Sequence, residues 1–79
     1  MSARAYVLIE VGVGKTKEVI TALTDVDGVT SVEAVTGPYD VIAIVEGKDI
    51  NAVGDLVTKA VHSIGGVART VTCLAMQLG

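Results

Sequence analysis

Asp40 is the residue of this sequence whose type and position most need a chemical explanation. It follows the tight segment Gly37–Tyr39, which contains the only proline, and it precedes the apolar run Val41–Val45. Aspartate is disfavoured inside strands, so a carboxylate beside such a run needs a partner. Two explanations remain open: an Asx-type turn bond to the nearby backbone, or a carboxylate held by a rigid turn to receive a ligand ammonium group.

Thr70 and Thr72 are hydroxyl residues that would complement such a carboxylate. They stand two positions apart near the start of the last predicted strand, so their side chains point to the same face of the sheet. Together with backbone N–H groups, these hydroxyls can receive a ligand carboxylate. Threonine is also simply a good strand former, and that alternative remains open.

The segment Gly12–Thr16 suggests a phosphate-binding P-loop, because it follows a predicted strand and opens a predicted helix. The full motif needs a glycine where Ile9 stands, inside the strand. It also needs a parallel sheet, which 79 residues cannot build with room for a nucleotide. We therefore interpret the segment as a strand-to-helix turn in which Thr16 caps the helix.

His62 and Cys73 are the only histidine and the only cysteine. His62 lies off the apolar stripe of the second predicted helix, and we expect it to be exposed and without partners. Cys73 lies in a run of apolar and threonine residues, and we expect a buried, inert thiol, since a reactive thiol needs an electropositive, partly exposed setting. The chain has no Cys and His set for a metal. The sequence predicts no catalytic residue, no metal site and no cofactor.

The elements that must position these residues are predicted from apolar periodicity and from glycine-containing breaks. The predicted strands cover 4–11, 29–36, 41–46 and 67–77, and the predicted helices cover 15–25 and 49–64. Asp49 caps the second helix, whose buried stripe is predicted to be Ile50, Val53, Val57, Ala60 and Ile64, widened by Leu56 and Val61. This order predicts an α+β, ferredoxin-like βαββαβ fold, with a four-stranded antiparallel sheet and both helices on one face.

The central strands are apolar on both faces of the predicted sheet. Segments 6–9, 41–45 and 73–76 do not alternate, whereas a sheet covered on one face should do so. Because the helices cover one face, we expect a second subunit to cover the other. A 79-residue domain that is 51% hydrophobic agrees with this, since so small a domain is marginal without added contacts. The sequence predicts one domain over 1–79 that forms a homodimer.

Charge and composition exclude several partners. A net charge of -3 argues against nucleic acid, which is bound through Lys and Arg, and aromatic residues make up only 3%, too few for base stacking. No apolar run approaches the roughly 18 residues of a membrane span. A lone cysteine and the lack of a signal-peptide pattern fit a reducing compartment. We expect a cytoplasmic protein that binds neither DNA nor membranes directly.

Two segments resemble a known family. Val29–Asp40 (VTSVEAVTGPYD), with its apolar continuation to Val45, and Gly66–Thr72 (GVARTVT) resemble the effector-binding, RAM-type domain of the Lrp/AsnC transcriptional regulators. The resemblance extends over Ala5–Met76. It implies a ferredoxin-like domain that dimerises through its sheet, assembles further into octameric or decameric rings, and binds amino acids in clefts between dimers. It further implies that the cleft is lined by Gly37, Tyr39 and Asp40, with polar contacts from Thr70 and Thr72.

One departure from the family pattern is large. The regulators carry an N-terminal helix-turn-helix domain that binds DNA, whereas here the first predicted strand begins within a few residues of Met1. We therefore expect a stand-alone effector domain to which DNA binding does not carry over. Its expected partners are a small effector, further copies of itself and a full-length Lrp/AsnC relative.

The predicted function is a regulatory domain that binds an amino acid or a similar small effector at subunit interfaces, and not an enzyme. Two other hypotheses remain: a structural interaction module without ligand, and a small ferredoxin-like enzyme of the acylphosphatase or oxygenase kind. Acyl-phosphate chemistry would want an arginine beside a phosphate-cradling loop, and Gly12–Thr16 carries Lys15 instead. An ACT-type amino-acid sensor would share the topology and differ in assembly.

Overall fold

The computed structural model describes residues 2–76 and has the predicted βαββαβ order. The strands are β1 (Ala3–Val11), β2 (Val29–Ala34), β3 (Val41–Gly47) and β4 (Val67–Leu74), and the helices are α1 (Thr16–Thr24) and α2 (Ile50–Leu56), which continues into a π-helical turn (Val57–Val61). The predicted end of the last strand, Gln77, lies outside the described residues. No helix within residues 2–76 is long and apolar enough to cross a membrane.

The four strands form one antiparallel sheet in the order β2-β3-β1-β4. β1 and β3 are central, and β2 and β4 are the edges. Ile9 of β1 stands opposite Val41 of β3 on one side and opposite Thr70 of β4 on the other. The start of β3 and the start of β4 therefore lie at the same end of the sheet, with the end of β1 between them.

One face of the sheet, the helix face, packs against both helices as predicted. Alternate residues of the two central strands are fully buried there, because side chains two apart share a face. The core consists of Ala5, Val7, Ile9, Val41, Ala43 and Val45 from the sheet and Val19, Leu23, Val53, Val57 and Val61 from the helical layer. Each buried Val, Leu or Ile side chain contributes about 1.5–3 kcal/mol relative to exposure, so this layer accounts for the fold.

The opposite face, which we call the open face, is also apolar. It is formed by Tyr6, Leu8, Ile42, Ile44, Val71 and Cys73, of which none is fully buried. Cys73 is exposed, so the prediction of a buried thiol is wrong for the isolated chain. The reason is that β4 places Cys73 beside Tyr6, on the face that the helices do not cover.

Ion pairs stand at both ends of the open face. Arg4 Nη2 lies 2.9 Å from Glu46 Oε2 at one end, and Arg69 Nη2 lies 3.3 Å from Glu10 Oε2 at the other. The hydrogen bond and the charge of Glu46 raise the pKa of the Arg4 guanidinium. The apolar part of this face is therefore bounded along the strands by charged residues.

The helix starts differ in how they are capped. Asp49 caps α2 as predicted, because its Oδ1 accepts from the backbone N–H of Ala52 at 2.8 Å. Thr16 is not a cap: it is the first residue of α1, and Lys15 occupies the N-cap position. Within residues 2–76 the Lys15 side chain makes no capping hydrogen bond, so the start of α1 lacks the side-chain acceptor that the sequence suggested.

The second helix changes its winding before it ends. The backbone N–H of His62 donates to the carbonyl of Val57 at 3.0 Å, five residues earlier, which is the π-helical pattern. Val61, which widens the predicted stripe, is fully buried, and Ala60 is half-buried. Ile50, predicted in the buried stripe, is 63% exposed at the start of the helix. The predicted stripe is therefore wrong at its first residue, whereas Ile64 at its other end packs against the core.

Candidate functional site

Asp40 is fixed by three hydrogen bonds where the β2–β3 turn meets β1. Its backbone N–H donates to the carbonyl of Ile9 at 2.9 Å, and its own carbonyl accepts from the N–H of Val35 at 2.9 Å. Its carboxylate Oδ2 accepts from the backbone N–H of Val11 at 2.8 Å. The Asp40 carboxylate thus accepts a hydrogen bond from a backbone N–H of β1. This contact lies where the main chain of the β2–β3 turn leaves β1.

This contact bears on the two explanations given for Asp40. The carboxylate does bond a backbone N–H, but the donor belongs to the neighbouring strand and not to the turn itself. An ionised carboxylate has two oxygens and about four lone-pair positions. Oδ1 therefore retains acceptor capacity beyond the contact with Val11, and the side chain is held in a fixed orientation.

Gly37 and Tyr39 lie in the turn immediately before Asp40. Gly37 has a φ of 128°, a conformation that L side chains rarely adopt, which explains the glycine. It is exposed, and Tyr39 is half-buried. The turn is closed by the bond from Val35 to Asp40, so these residues are held beside the Asp40 carboxylate by backbone bonds.

Thr70 and Thr72 share one face of the edge strand β4, as their spacing predicted, and that face is the helix face. Their partners in β1 are the buried residues Ile9 and Val7. Thr70 is half-buried and Thr72 is exposed, because the helical layer packs over the central strands and leaves this part of the edge strand uncovered.

His62 is a further candidate site residue, whose contact its position in the sequence did not reveal. Its Nε2 lies 2.7 Å from Oγ1 of Thr70, so the expectation that it has no partner is wrong, although it is exposed as predicted. The short connection through Gly65 and Gly66 turns the chain straight from the helix end into β4. That glycine pair was the available signal, because a tight turn brings the residues on its two sides together.

Two surface depressions meet at His62. One, of about 320 Å³, is lined by His62, Val67, Ala68, Arg69 and Thr70. The other is a groove of about 270 Å³ between α2 and β4, lined by Ile50, Val53, Gly54, Val57, Thr58, His62, Thr72 and Leu74. A β-bulge lies in the wall of the first, because Glu10 pairs with Arg69 and Val11 with Val67, which leaves Ala68 unpaired.

The structure places Gly37, Tyr39, Asp40 and Thr70 toward one end of the sheet, with Thr72 opposite Val7 in the middle of β1, and it separates the turn from the threonines by β1. Asp40 adjoins Val41, which faces Ile9, and Ile9 faces Thr70. With strands roughly 4.8 Å apart, Val41 and Thr70 are separated by about two strand spacings. Ile9 is fully buried between them. The turn with Gly37, Tyr39 and Asp40 and the pair Thr70 and Thr72 are therefore neighbouring half-sites within one subunit.

The structure bears on two other kinds of site. The segment Gly12–Thr16 precedes a helix, but the sheet is antiparallel and Gly12 donates to the carbonyl of Gly66 at 2.9 Å. This is the strand-to-helix turn expected from the sequence. Across residues 2–76, no group of three His, Cys, Asp or Glu side chains is arranged to hold a metal ion.

The chain is thus a ferredoxin-like domain with one open apolar face and polar side chains on two sides of β1. The family model described as the Lrp/AsnC ligand binding domain matches residues 4–78. The chain belongs to this family, which confirms the resemblance on which the sequence analysis relied. A search of curated proteins found no match.

Solved structures support the fold over nearly the whole chain. TTHA0845 from Thermus thermophilus is 36% identical, with a TM-score of 0.90 over 98% of this chain and 96% of that one. AsnC of E. coli is 19% identical, with a TM-score of 0.89 over 96% of this chain and 52% of that one. The transcriptional regulator NMB0573 of Neisseria meningitidis, solved with L-Met, is 19% identical, with a TM-score of 0.84 over 95% and 50%. This chain thus spans about half the length of the two regulators.

Proposed function

We propose that this domain binds an amino acid, or a similar small effector, at the interface between subunits of a homo-oligomer, and that it regulates and does not catalyse. The family is one of regulatory ligand-binding domains. The fold is shared with a regulator that was solved with L-Met, which supports an amino acid as the class of ligand. The cytoplasm suits such a role, and the single cysteine is compatible with it.

The observation that carries the proposal is the placement of complementary groups on the two sides of β1. The Asp40 carboxylate is held rigidly with acceptor capacity remaining, as recognition of an ammonium group requires. Thr70 and Thr72 present hydroxyls on the neighbouring side of β1, as recognition of a carboxylate requires. Gly37 and Tyr39 complete the half-site around Asp40. An amino acid carries both charged groups, so it fits this pair of half-sites.

A ligand that reaches both half-sites is better served by two subunits than by one. Ile9 lies between Val41 and Thr70 and is fully buried under the helical layer. A small molecule therefore has no room over β1 to join the two half-sites of one chain. The Asp40 turn of one subunit and the threonines of another, brought together across an interface, would form one complete site.

The open face supplies the first subunit contact. Tyr6 is 38% exposed and Val71 is 37% exposed in the isolated chain. A contiguous exposed apolar surface of this kind marks an interaction site, and a second copy of the same face matches its chemistry. The homodimer would then assemble further, in the octameric or decameric rings that the family resemblance implies. A full-length Lrp/AsnC relative is a further partner through the same contacts, and the net charge of -3 does not favour DNA.

Thermal unfolding with each standard amino acid at millimolar concentration tests this function. A ligand that binds only the folded protein raises its Tm by mass action. The matched variants are the wild type and Asp40→Asn, which keeps an oxygen acceptor for Val11 and removes the charge. We expect a selective rise in Tm that Asp40→Asn reduces. If no amino acid changes Tm or oligomer size, the better conclusion is an interaction module without ligand.

A further inference from the structure

His62 makes two hydrogen-bond contacts, one within its helix and one to the start of β4. Its backbone N–H donates to the carbonyl of Val57 at 3.0 Å and closes the π-helical turn. Its side-chain Nε2 lies 2.7 Å from Oγ1 of Thr70. The imidazole is therefore an exposed group that is hydrogen-bonded to the edge strand.

This position lies between the two threonines of the proposed site. His62 lines the depression that contains Thr70 and also the groove that contains Thr72. The imidazole therefore borders both the depression and the groove. A ligand group bound by either threonine would therefore lie beside the imidazole.

The direction of the contact between His62 and Thr70 decides what Thr70 offers to a ligand. A threonine hydroxyl has one hydrogen to donate and two lone pairs that accept. When the Nε2–H of the imidazole donates to Oγ1, the hydroxyl hydrogen stays free for another acceptor. When the hydroxyl donates to Nε2 instead, only an acceptor remains for the ligand. The first arrangement suits a carboxylate, and the second does not.

We propose that His62 is a positioning residue of the ligand site, which donates through Nε2 to Thr70 and thereby directs the Thr70 hydroxyl hydrogen at the carboxylate of the bound ligand. This inference rests on the proposed function, because it deepens the role given there to Thr70. His62 acts through Thr70, so its effect must appear in the state of the imidazole and in carboxylate affinity, and not only in stability.

The state of the imidazole is measured directly by nitrogen-15 NMR of the ring, without added ligand. The chain has one histidine, so its ring signals need no assignment. We expect neutral His62 to carry its hydrogen on Nε2 in the wild type. Neutral histidine in water already favours hydrogen on Nε2, so the diagnostic result is a larger Nε2–H fraction in the wild type than in Thr70→Val. Thr58→Val, the same change in the adjacent groove wall, should match the wild type. A wild-type ring with its hydrogen mainly on Nδ1 overturns the proposal.

Carboxylate recognition is measured by titrating the full chain with sodium acetate, with methylamine hydrochloride and sodium chloride as controls. The backbone amide of Thr70 reports binding. We expect a saturable response to acetate alone. His62→Ala should weaken the affinity about tenfold, the usual consequence of losing a hydrogen bond of roughly 1.4 kcal/mol. His62→Gln, whose amide N–H can replace Nε2–H, should recover it to within about threefold.

The outcomes separate this inference from the proposed function. If amino acids raise Tm but acetate affinity is the same in His62→Ala and the wild type, the inference fails and the function stands. If acetate binds as expected but no amino acid raises Tm, the inference stands and the amino-acid function fails. An equal response to acetate and to sodium chloride overturns the inference, because the contact then only senses ionic strength.

Discussion

The carboxylate Oδ2 of Asp40 accepts a hydrogen bond from the backbone N–H of Val11 at 2.8 Å. The two residues are 29 positions apart in sequence, and the contact ties the β2–β3 turn to the end of β1. The Asp40 side chain thus accepts from a backbone N–H of β1 that would otherwise lack a partner in β3. The same hydrogen bond orients the carboxylate that we propose for ligand recognition.

Asp40→Ala should therefore lower the free energy of unfolding by about 1–3 kcal/mol, because it leaves a part-buried N–H without its acceptor. Asp40→Asn keeps an oxygen at the same place and should cost clearly less. Urea unfolding at a fixed protein concentration measures both variants. Equal losses in the two variants would show that the charge, and not the hydrogen bond, stabilises the turn.

Ile42→Asp should separate subunits without unfolding them. Ile42 lies on the open face, outside the buried core. The carboxylate of Asp at this position therefore stays hydrated in a monomer, and it destabilises only a dimer that buries this face. Val13→Asp is the matched control, since Val13 is fully exposed in the turn after β1. Sedimentation equilibrium should show a smaller species for Ile42→Asp alone, with far-UV circular dichroism unchanged. Identical association of both variants would place the subunit contact elsewhere.

Gly28→Ala and Gly14→Ala should differ in cost although both glycines have positive φ. A left-handed conformation costs a residue with a side chain about 1–2 kcal/mol at either position. At Gly28 the new Cβ would also lie 2.9 Å from Leu56 Cδ2 and 3.2 Å from the carbonyl oxygen of Glu46, whereas at Gly14 no further heavy atom of residues 2–76 lies within 4 Å. Thermal unfolding should show Gly28→Ala to be the less stable by a further 1–3 kcal/mol, roughly. Equal Tm values would contradict this.

Asp49→Ala should lower stability by about 1 kcal/mol, because it removes the acceptor for the Ala52 N–H at the start of α2. Asp55→Ala, an exposed carboxylate change within the same helix, is the control and should stay within about 0.5 kcal/mol of the wild type. Urea unfolding distinguishes the two. A loss as large for Asp55→Ala would mean that net charge, and not capping, is responsible.

The element order and the open apolar face could be predicted from the sequence because both depend on local patterns. Glycine breaks and runs such as Val41–Val45 constrain each element separately, and the cap by Asp49 needs only the next three residues. The exposure of Cys73 could not be predicted in this way, because an apolar strand residue looks the same whether a helix or solvent faces it.

The contacts of the candidate site were harder to predict because they depend on distant residues or on a choice between hydrogen bonds. No local pattern couples Asp40 to Val11. The π-helical turn depends on whether the His62 N–H bonds to Val57 or one residue later, and an apolar stripe permits both. The contact of His62 with Thr70 depends on the same choice of hydrogen bond, so neither the π-helical turn nor this contact could be predicted.

The π-helical turn at Val57–Val61 has a consequence for how this surface changes between related sequences. It acts as a one-residue insertion in an α-helix, so removal of a single residue such as Lys59 would turn the bond from His62 to Val57 into the ordinary four-residue bond of an α-helix. His62 would then keep its place relative to Val57 and to Thr70. A length change of one residue here would therefore be absorbed inside the helix and leave the ligand surface as it is.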